Sequence, residues 1–86
     1  MPTVSVFFGI IITMYWREHG VPHFHAKYGD MKIVVNIETL EVIEGKMSRR
    51  ALGLVMDWAE LHKTELIENW NSAREKGEIK PIKPLE

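Results

Sequence analysis

The stretch HFHAKYGDMKIVVNI, residues 23–37, decides the fold because it has the pattern of a β-hairpin. Phe24, Ala26 and Tyr28 alternate with polar residues, which is the period of a strand with one buried face. Gly29-Asp30 then separates two strand-like runs by two residues, the length of a tight hairpin loop. We therefore expect two directly paired strands with one apolar face and one cationic face.

A turn at Gly29-Asp30 also fixes which residues lie opposite one another. The expected pairs are Tyr28 with Met31, Lys27 with Lys32, Ala26 with Ile33, His25 with Val34, and His23 with Asn36. Like charges directly opposite on a sheet are mildly destabilising, so the two lysines suggest an anionic ligand or an acidic partner. The ordinary alternative is a pair of solvated lysines that point away from each other.

The flanking segments extend the hairpin into a sheet. Residues 7–16 are rich in Ile and aromatic side chains, which favours a buried, central first strand. Leu40 and Val42 begin a short alternating run that stops at Gly45, which predicts a fourth strand. The sequence thus predicts an antiparallel β-meander of about four strands over residues 4–45.

The C-terminal half predicts one long helix and an extended tail. Ser48 has the residue type of an N-cap, and an apolar stripe at helical spacing follows it. Gly77 is a typical C-terminal stop, so we expect one helix over about 48–76 that covers the sheet. The tail, residues 78–86, holds Pro81 and Pro84 and cannot be helical, so we expect it to dock along a sheet edge or to bind a partner. The predicted fold is a single α+β domain, residues 1–86.

Composition limits the function. Eleven Lys and Arg nearly balance twelve Asp and Glu, so nucleic acid can be bound only through a local patch. There is no Cys, which excludes disulfides, thiolate zinc sites and a cysteine nucleophile.

The apolar stretch 4–16 is shorter than the roughly 20 residues of a membrane span, and the start lacks a signal-peptide pattern. We expect a cytoplasmic, bacterial-type protein without membrane contact, and its thin core makes a homodimer plausible.

The strongest chemical signal is a pair of histidines. His23 and His25 are two apart on a predicted strand, so both project to one face, with Tyr15 nearby. These three residues supply the acid and base that metal-independent RNA cleavage needs, and Arg17, Lys27 and Lys32 supply cations for the phosphate. The ordinary alternatives are that Tyr15 packs at a strand end and that Arg17 solvates a turn.

A second candidate anion site lies at the predicted helix start. Arg49 and Arg50 occupy the first turn, where the helix dipole disfavours cations by about 0.3–1 kcal/mol each. Such a start can nevertheless hold phosphate through backbone amides and guanidinium groups together. The alternative is that the arginines pair with Glu41 or Glu44 just upstream.

The same histidines could also bind a metal. His23 and His25, with His19 or Glu18 as a third ligand, would suit an open zinc or iron site. A lone His-x-His is a weak pattern, however, and no distant cluster of acidic residues and histidines supports it. We therefore expect no metal and no cofactor, and keep a small metalloprotein as an alternative.

Several short motifs, in order along the chain, resemble those of the bacterial domain-of-unknown-function family DUF4160. They are Met1-Pro2-Thr3-Val4, Gly9-Ile10-Ile11-Ile12, Pro22-His23-Phe24-His25, Tyr28-Gly29, Arg49-Arg50-Ala51-Leu52, Trp58-Ala59-Glu60-Leu61-His62 and Glu68-Asn69-Trp70. Members of that family look like one half of two-gene modules, often beside a DUF2442 protein, and such pairs are proposed as toxin and antitoxin.

The resemblance implies a toxin with a cognate DUF2442-like antitoxin as its partner. Combined with the histidines and lysines, it leads to the hypothesis of a toxin that acts on RNA. The alternative is a non-enzymatic interaction module, whose sheet edge, Trp-bearing helix and Pro-Lys tail bind the neighbouring gene product. The resemblance assigns no catalytic residue.

Overall fold

The computed structural model describes residues 2–86 and confirms the α+β class. Met1, the first residue of the opening motif, lies outside the described residues. The described elements are β1 Thr3–Phe7, β2 Ile10–Thr13, β3 His23–Tyr28, β4 Met31–Asn36, β5 Val42–Lys46, α1 Arg49–Leu61 and α2 Lys63–Arg74. Residues 2–86 therefore form five strands and two helices, where the sequence predicted about four strands and one helix.

The strands form one antiparallel sheet in the order β1-β2-β3-β4-β5, so the meander is confirmed. The β3–β4 hairpin also has the predicted register: Lys27 lies opposite Lys32, His25 opposite Val34 and His23 opposite Asn36. The alternation and the two-residue loop were sufficient to fix this register, because a slip by one residue would turn every apolar side chain to the wrong face.

The predicted first strand is in fact the end of one strand and the whole of the next. Phe7 pairs with Ile10, and Phe8 and Gly9 form the turn between them with φ values of 49° and 81°. Positive φ at both central residues is the geometry of a tight hairpin turn, and Gly9 adopts it without a Cβ penalty. An isolated glycine in an apolar run thus marked a turn where the sequence predicted a continuous strand.

The last strand depends on a polar turn and a glycine. The side-chain oxygen of Asn36 accepts hydrogen bonds from the backbone N–H groups of Glu38 (2.8 Å) and Thr39 (3.1 Å), which closes the turn before β5. Gly45 has φ +86°, and a Cβ there would overlap the backbone carbonyl oxygen of Lys32. Glycine is therefore required for β5 to approach β4 this closely.

The predicted long helix is divided at His62. Ser48 caps α1 as predicted, because its hydroxyl oxygen accepts a hydrogen bond from the Ala51 N–H (3.3 Å). His62 has φ −122° and ψ 24°, outside the helical range, and its ring Nδ1 lies 2.6 Å from a carboxylate oxygen of Glu65 in the first turn of α2. Neither helix within residues 2–86 is long and apolar enough to cross a membrane.

The helices pack on one face of the sheet, here called the inner face. It carries Ile10, Ile12, Phe24, Ala26, Ile33 and Val35, each at most 2% exposed. The indole of Trp58 on α1 lies 5.4 Å from the ring of Phe7 and 5.8 Å from that of Phe24, measured between centroids. The alternating positions lie on the opposite, outer face, which includes Val6, Ile11, Thr13, His23, His25, Lys27, Lys32, Val34, Glu44 and Lys46.

The C-terminal tail docks on the sheet and the helices, one of the two outcomes expected for it. The N–H of Ile82 donates to the Val4 carbonyl at the β1 edge (2.8 Å), and Ile82 is buried. The indole N–H of Trp58 donates to the Lys83 carbonyl (2.9 Å), and the Asn69 side chain bonds both backbone groups of Lys80. The tail therefore covers one edge of the sheet.

Candidate functional site

Three side chains converge where the β2–β3 loop meets the start of β3. A carboxylate oxygen of Glu18, Oε1, lies 2.9 Å from Nε2 of His25 and 3.6 Å from Nε2 of His23. One ligand atom from each residue lies within 4.8 Å of the others. We call Glu18, His23 and His25 the Glu–His cluster.

His23 is held by its backbone and by α2. Its Nδ1 lies 2.8 Å from the carbonyl oxygen of Val21, and its ring centroid lies 4.9 Å from that of Trp70. The His23 side chain is only 12% exposed. A carbonyl oxygen can only accept a hydrogen bond, so the Nδ1 atom carries the proton and Nε2 points toward Glu18.

His25 is more open to solvent, and Glu18 orients it. Its side chain is 31% exposed, and its ring makes an edge contact with Tyr15 at a centroid distance of 4.8 Å. Its Nε2 forms the short contact with Glu18. Since an ionised carboxylate can only accept, Nε2–H of His25 donates, which leaves Nδ1 as the acceptor nitrogen of a neutral ring.

The loop that carries Glu18 is anchored to the end of α2. The indole N–H of Trp16 donates to the Gly77 carbonyl (2.8 Å), and the backbone N–H of Arg17 approaches the Ala73 carbonyl at 3.4 Å. Pro22 accepts a hydrogen bond from the Ile37 N–H (2.9 Å), which ties the end of the loop to the sheet. Glu18 thus reaches the histidines from a loop fixed at both ends.

The outer face places a row of cations beside the cluster. Lys27 lies opposite Lys32, and Lys32 lies opposite Lys46, so three lysines follow one another across β3, β4 and β5. All three are exposed, and within residues 2–86 none of them forms an ion pair. We call Lys27, Lys32 and Lys46 the lysine row.

Lys27 and Lys32 of the lysine row and His25 of the Glu–His cluster line one shallow cavity of about 670 Å³. Its lining includes Tyr15, His25, Lys27 and Lys32 from the predicted site, together with Thr13 and Ile11. The hydroxyl of Thr13 donates to the Tyr15 hydroxyl oxygen at 3.4 Å. The structure therefore brings an imidazole, a phenol and two ammonium groups to one surface.

Other predicted residues lie apart from this surface. Arg50 lines a separate cavity with Phe8 and Tyr28, and Arg49 is exposed in the first turn of α1. Neither arginine forms an ion pair with an acidic side chain in the described part of the chain, so the expected pairing with Glu41 or Glu44 is absent there. The side chain of Arg17 is exposed, and its backbone N–H faces the Ala73 carbonyl on α2.

Two features of the site were not fixed by the sequence. Glu18 joins the two histidines, whereas His19 is exposed and stands outside the cluster that the described residues form. Lys46 extends the lysine pair into a row, which depends on the irregular register between β4 and β5 near Val34. The Lys27–Lys32 pairing was a usable signal for a cationic surface, but the third lysine had no sequence signal of its own.

A comparison with protein-family models identifies the chain's relatives. The model of the domain-of-unknown-function family DUF4160 matches residues 9–71. The chain belongs to this family. No curated protein and no solved structure gives a significant match.

The DUF4160 match covers the parts of the chain that build the candidate site. Residues 9–71 run from β2 through most of α2 and include the whole Glu–His cluster and the lysine row. The β1 strand and the docked tail lie outside the matched range. Since the family's description names no activity, the function has to be argued from the site itself.

Proposed function

We propose that this DUF4160 protein is the toxin of a bacterial toxin–antitoxin pair and that it binds and cleaves RNA on its outer face. The observation that carries the proposal is the lysine row, because two of its members, Lys27 and Lys32, line one cavity together with His25. Like charges on adjacent strands repel each other, and a polyanion on that face would relieve the repulsion. The toxin setting is the one implied by the family resemblance.

RNA would be held mainly by charge. The net charge of the chain is −1, so attraction comes from the lysine row alone and would weaken with salt. Tyr15 supplies an aromatic ring beside the row, and bases of single-stranded RNA stack on such rings without sequence preference. These features favour single-stranded RNA over a duplex.

His25 is the proposed general base. Glu18 accepts its Nε2–H, so Nδ1 can take the proton from a ribose 2′-hydroxyl. The 2′-oxygen then bonds to the adjacent phosphorus, and the bond from phosphorus to the 5′-oxygen breaks. The carboxylate of Glu18 stabilises the imidazolium that forms, as the acidic residue of a catalytic triad does.

The remaining roles fall to neighbours of His25. The Tyr15 hydroxyl donates a proton to the departing 5′-oxygen, and Lys27 and Lys32 stabilise the negative charge that develops on the phosphoryl oxygens. His23 acts through Glu18, whose carboxylate lies 3.6 Å from its ring, and is a positioning residue. The products would be a 2′,3′-cyclic phosphate and a free 5′-hydroxyl.

The test is cleavage of a labelled single-stranded RNA by tag-free protein in EDTA. We expect the wild type to cleave the RNA and to leave the 2′-deoxy oligonucleotide intact, because the 2′-hydroxyl is the nucleophile. The variant His25→Ala is expected to lose about 10²- to 10⁴-fold in rate. The matched variant His19→Ala, an exposed histidine outside the cluster, should cleave like the wild type.

Growth after induced expression tests the toxin role in the same set of proteins. Wild type and His19→Ala should slow growth, whereas His25→Ala and wild type expressed with the neighbouring gene should not. A wild type that neither cleaves RNA nor slows growth contradicts the proposal, as does a His25→Ala variant that cleaves at the wild-type rate.

A second candidate function rests on the other edge of the sheet. The tail covers the β1 edge, whereas β5 is exposed along its length, with Val42 39% and Ile43 49% exposed. An exposed edge strand is a template for pairing with a strand of another protein. In this reading the partner is the neighbouring DUF2442-like protein. Loss of partner binding in Ile43→Lys, with full binding in His25→Ala, would favour it.

A further inference from the structure

The Glu–His cluster has the composition and spacing of a metal site. We propose that Glu18, His23 and His25 bind one divalent transition-metal ion of the Zn²⁺ class. The ion would be held by Nε2 of each histidine and by a carboxylate oxygen of Glu18. This inference does not depend on RNA cleavage, because it concerns bound metal and is read out without RNA.

The distances between the ligand atoms of the cluster are already close to those between the ligand atoms of a coordinated ion. Bonds of about 2.0–2.1 Å in a tetrahedron place neighbouring ligand atoms about 3.3 Å apart. The two contacts of Glu18, at 2.9 Å and 3.6 Å, lie on either side of that value, and the cluster spans at most 4.8 Å. Small rotations of the three side chains are therefore enough to accommodate an ion.

The orientation of His23 argues for a cation more directly. Its Nδ1–H donates to the Val21 carbonyl, so Nε2 of the neutral ring carries a lone pair. This lone pair faces the anionic carboxylate of Glu18 at 3.6 Å. Two acceptors that face each other repel unless a positive centre lies between them. A proton on Nε2 or a metal ion bound to both atoms supplies that centre, and titration with Zn²⁺ distinguishes the two.

The surroundings have the features of a supported metal site. Histidine ligands usually donate their second ring nitrogen to a carbonyl or carboxylate, and the bond from His23 to Val21 has this form. Trp70 packs against the ring of His23, and the hydrogen bond between Pro22 and Ile37 fixes the backbone beside it. Glu18 and His25 remain 29% and 31% exposed, which leaves a route for the ion.

The ligand set defines the class of ion and the chemistry of binding. Two imidazoles and one carboxylate suit Zn²⁺, Fe²⁺ and neighbouring ions, and three protein ligands leave at least one position for solvent. Binding at Nε2 of His25 requires the tautomer with the proton on Nδ1, so the neutral ring keeps its single proton and releases none. His25 with a bound ion is a ligand, so it could not at the same time keep the hydrogen bond to Glu18 that orients it as a base.

The experiment is titration of tag-free protein with Zn²⁺ by calorimetry, followed by absorption spectroscopy with Co²⁺. The wild type is expected to bind one Zn²⁺ per chain and to give a Co²⁺ spectrum with nitrogen and oxygen ligands. His23→Ala, His25→Ala and Glu18→Gln should each weaken binding by about 100-fold or more, since each removes a direct ligand.

Two matched variants keep the test specific. His19→Ala removes a nearby histidine outside the cluster, and His62→Ala removes the ring that pairs with Glu65 at 2.6 Å without a third ligand. Both should bind Zn²⁺ like the wild type, and thermal unfolding of every variant checks that it is folded. Wild type that binds no stoichiometric Zn²⁺, or equal binding by folded cluster and control variants, overturns the proposal.

Discussion

The inner and outer faces of the sheet are made by the same strands but differ in what they contribute. On β3, Phe24 and Ala26 of the inner face are at most 1% exposed, while His25 and Lys27 on the outer face remain accessible to solvent. The inner face packs against Trp58 and its neighbours on the helices. Stability therefore comes from the inner face, and the outer face is available for function.

The outer face also keeps features that packing alone would not favour. The lysine row places like charges side by side, and the Glu–His cluster lies next to it. Neither arrangement adds apolar burial, which is the main source of folding free energy. Changes to the two faces should consequently separate stability from binding.

The largest expected effect is loss of an inner-face side chain. Phe24→Ala removes a fully buried ring that contacts Trp58, so the free energy of unfolding should fall by about 3–5 kcal/mol. Urea denaturation followed by tryptophan fluorescence measures it. The matched change Phe8→Ala removes a ring that is 60% exposed and should cost far less. Similar losses for the two variants would contradict the conclusion that burial on the inner face is the main source of stability.

The next effect concerns the approach of β5 to β4. Gly45→Ala combines a positive φ with an overlap against the Lys32 carbonyl, so we expect a loss of about 2–4 kcal/mol and weakened pairing of β5. Thermal unfolding and amide hydrogen exchange of residues 42–46 would detect both. Gly53→Ala is the control, since Gly53 lies in α1 with open space around its Cβ position, and it should stabilise by up to about 1 kcal/mol. If the Gly45→Ala protein were as stable as the wild type, the conclusion that β5 needs glycine at this position to pair with β4 would be wrong.

The smallest effect on stability, and the clearest on binding, is expected from the lysine row. Changing Lys27, Lys32 and Lys46 together to Gln should alter the free energy of unfolding by less than about 0.5 kcal/mol per site. Affinity for single-stranded RNA should fall about tenfold or more, and the slope of log K against log salt should decrease by about 2. Fluorescence anisotropy at several salt concentrations measures both quantities.

The control for the lysine row carries the same change in net charge. Lys76, Lys80 and Lys83 are exposed residues near the C-terminus, and changing them together to Gln should leave RNA affinity nearly unchanged. Equal losses for the two triple variants would mean that RNA responds to overall charge and not to the outer face.

Local patterns predicted much of the fold. The β3–β4 register followed from alternation and from the Gly29-Asp30 loop, and the Ser48 cap followed from its position before an apolar stripe. These features depend on residues close together in the sequence. The Phe8-Gly9 turn and the break at His62 were missed because an apolar run and a helical stripe continue through both positions.

The candidate site was only partly accessible to sequence reasoning. His23 and His25 share a face by strand geometry, so their pairing was predictable. The choice of Glu18 over His19 depends on the path of a loop anchored to Gly77 and Ala73, residues more than fifty positions away. The third lysine depends on an irregularity between β4 and β5.

The sequence by itself determined the alternation of apolar and polar residues, and hence the two faces of the meander and the histidine pair on one of them. The tertiary structure decided that the tail covers the β1 edge while β5 stays exposed, and that a carboxylate meets the histidines. The physical reason is that side-chain direction within a strand is a local property of the backbone. The meeting of Glu18 with His23 and His25 requires hydrogen bonds and packing between distant segments, which no local pattern encodes.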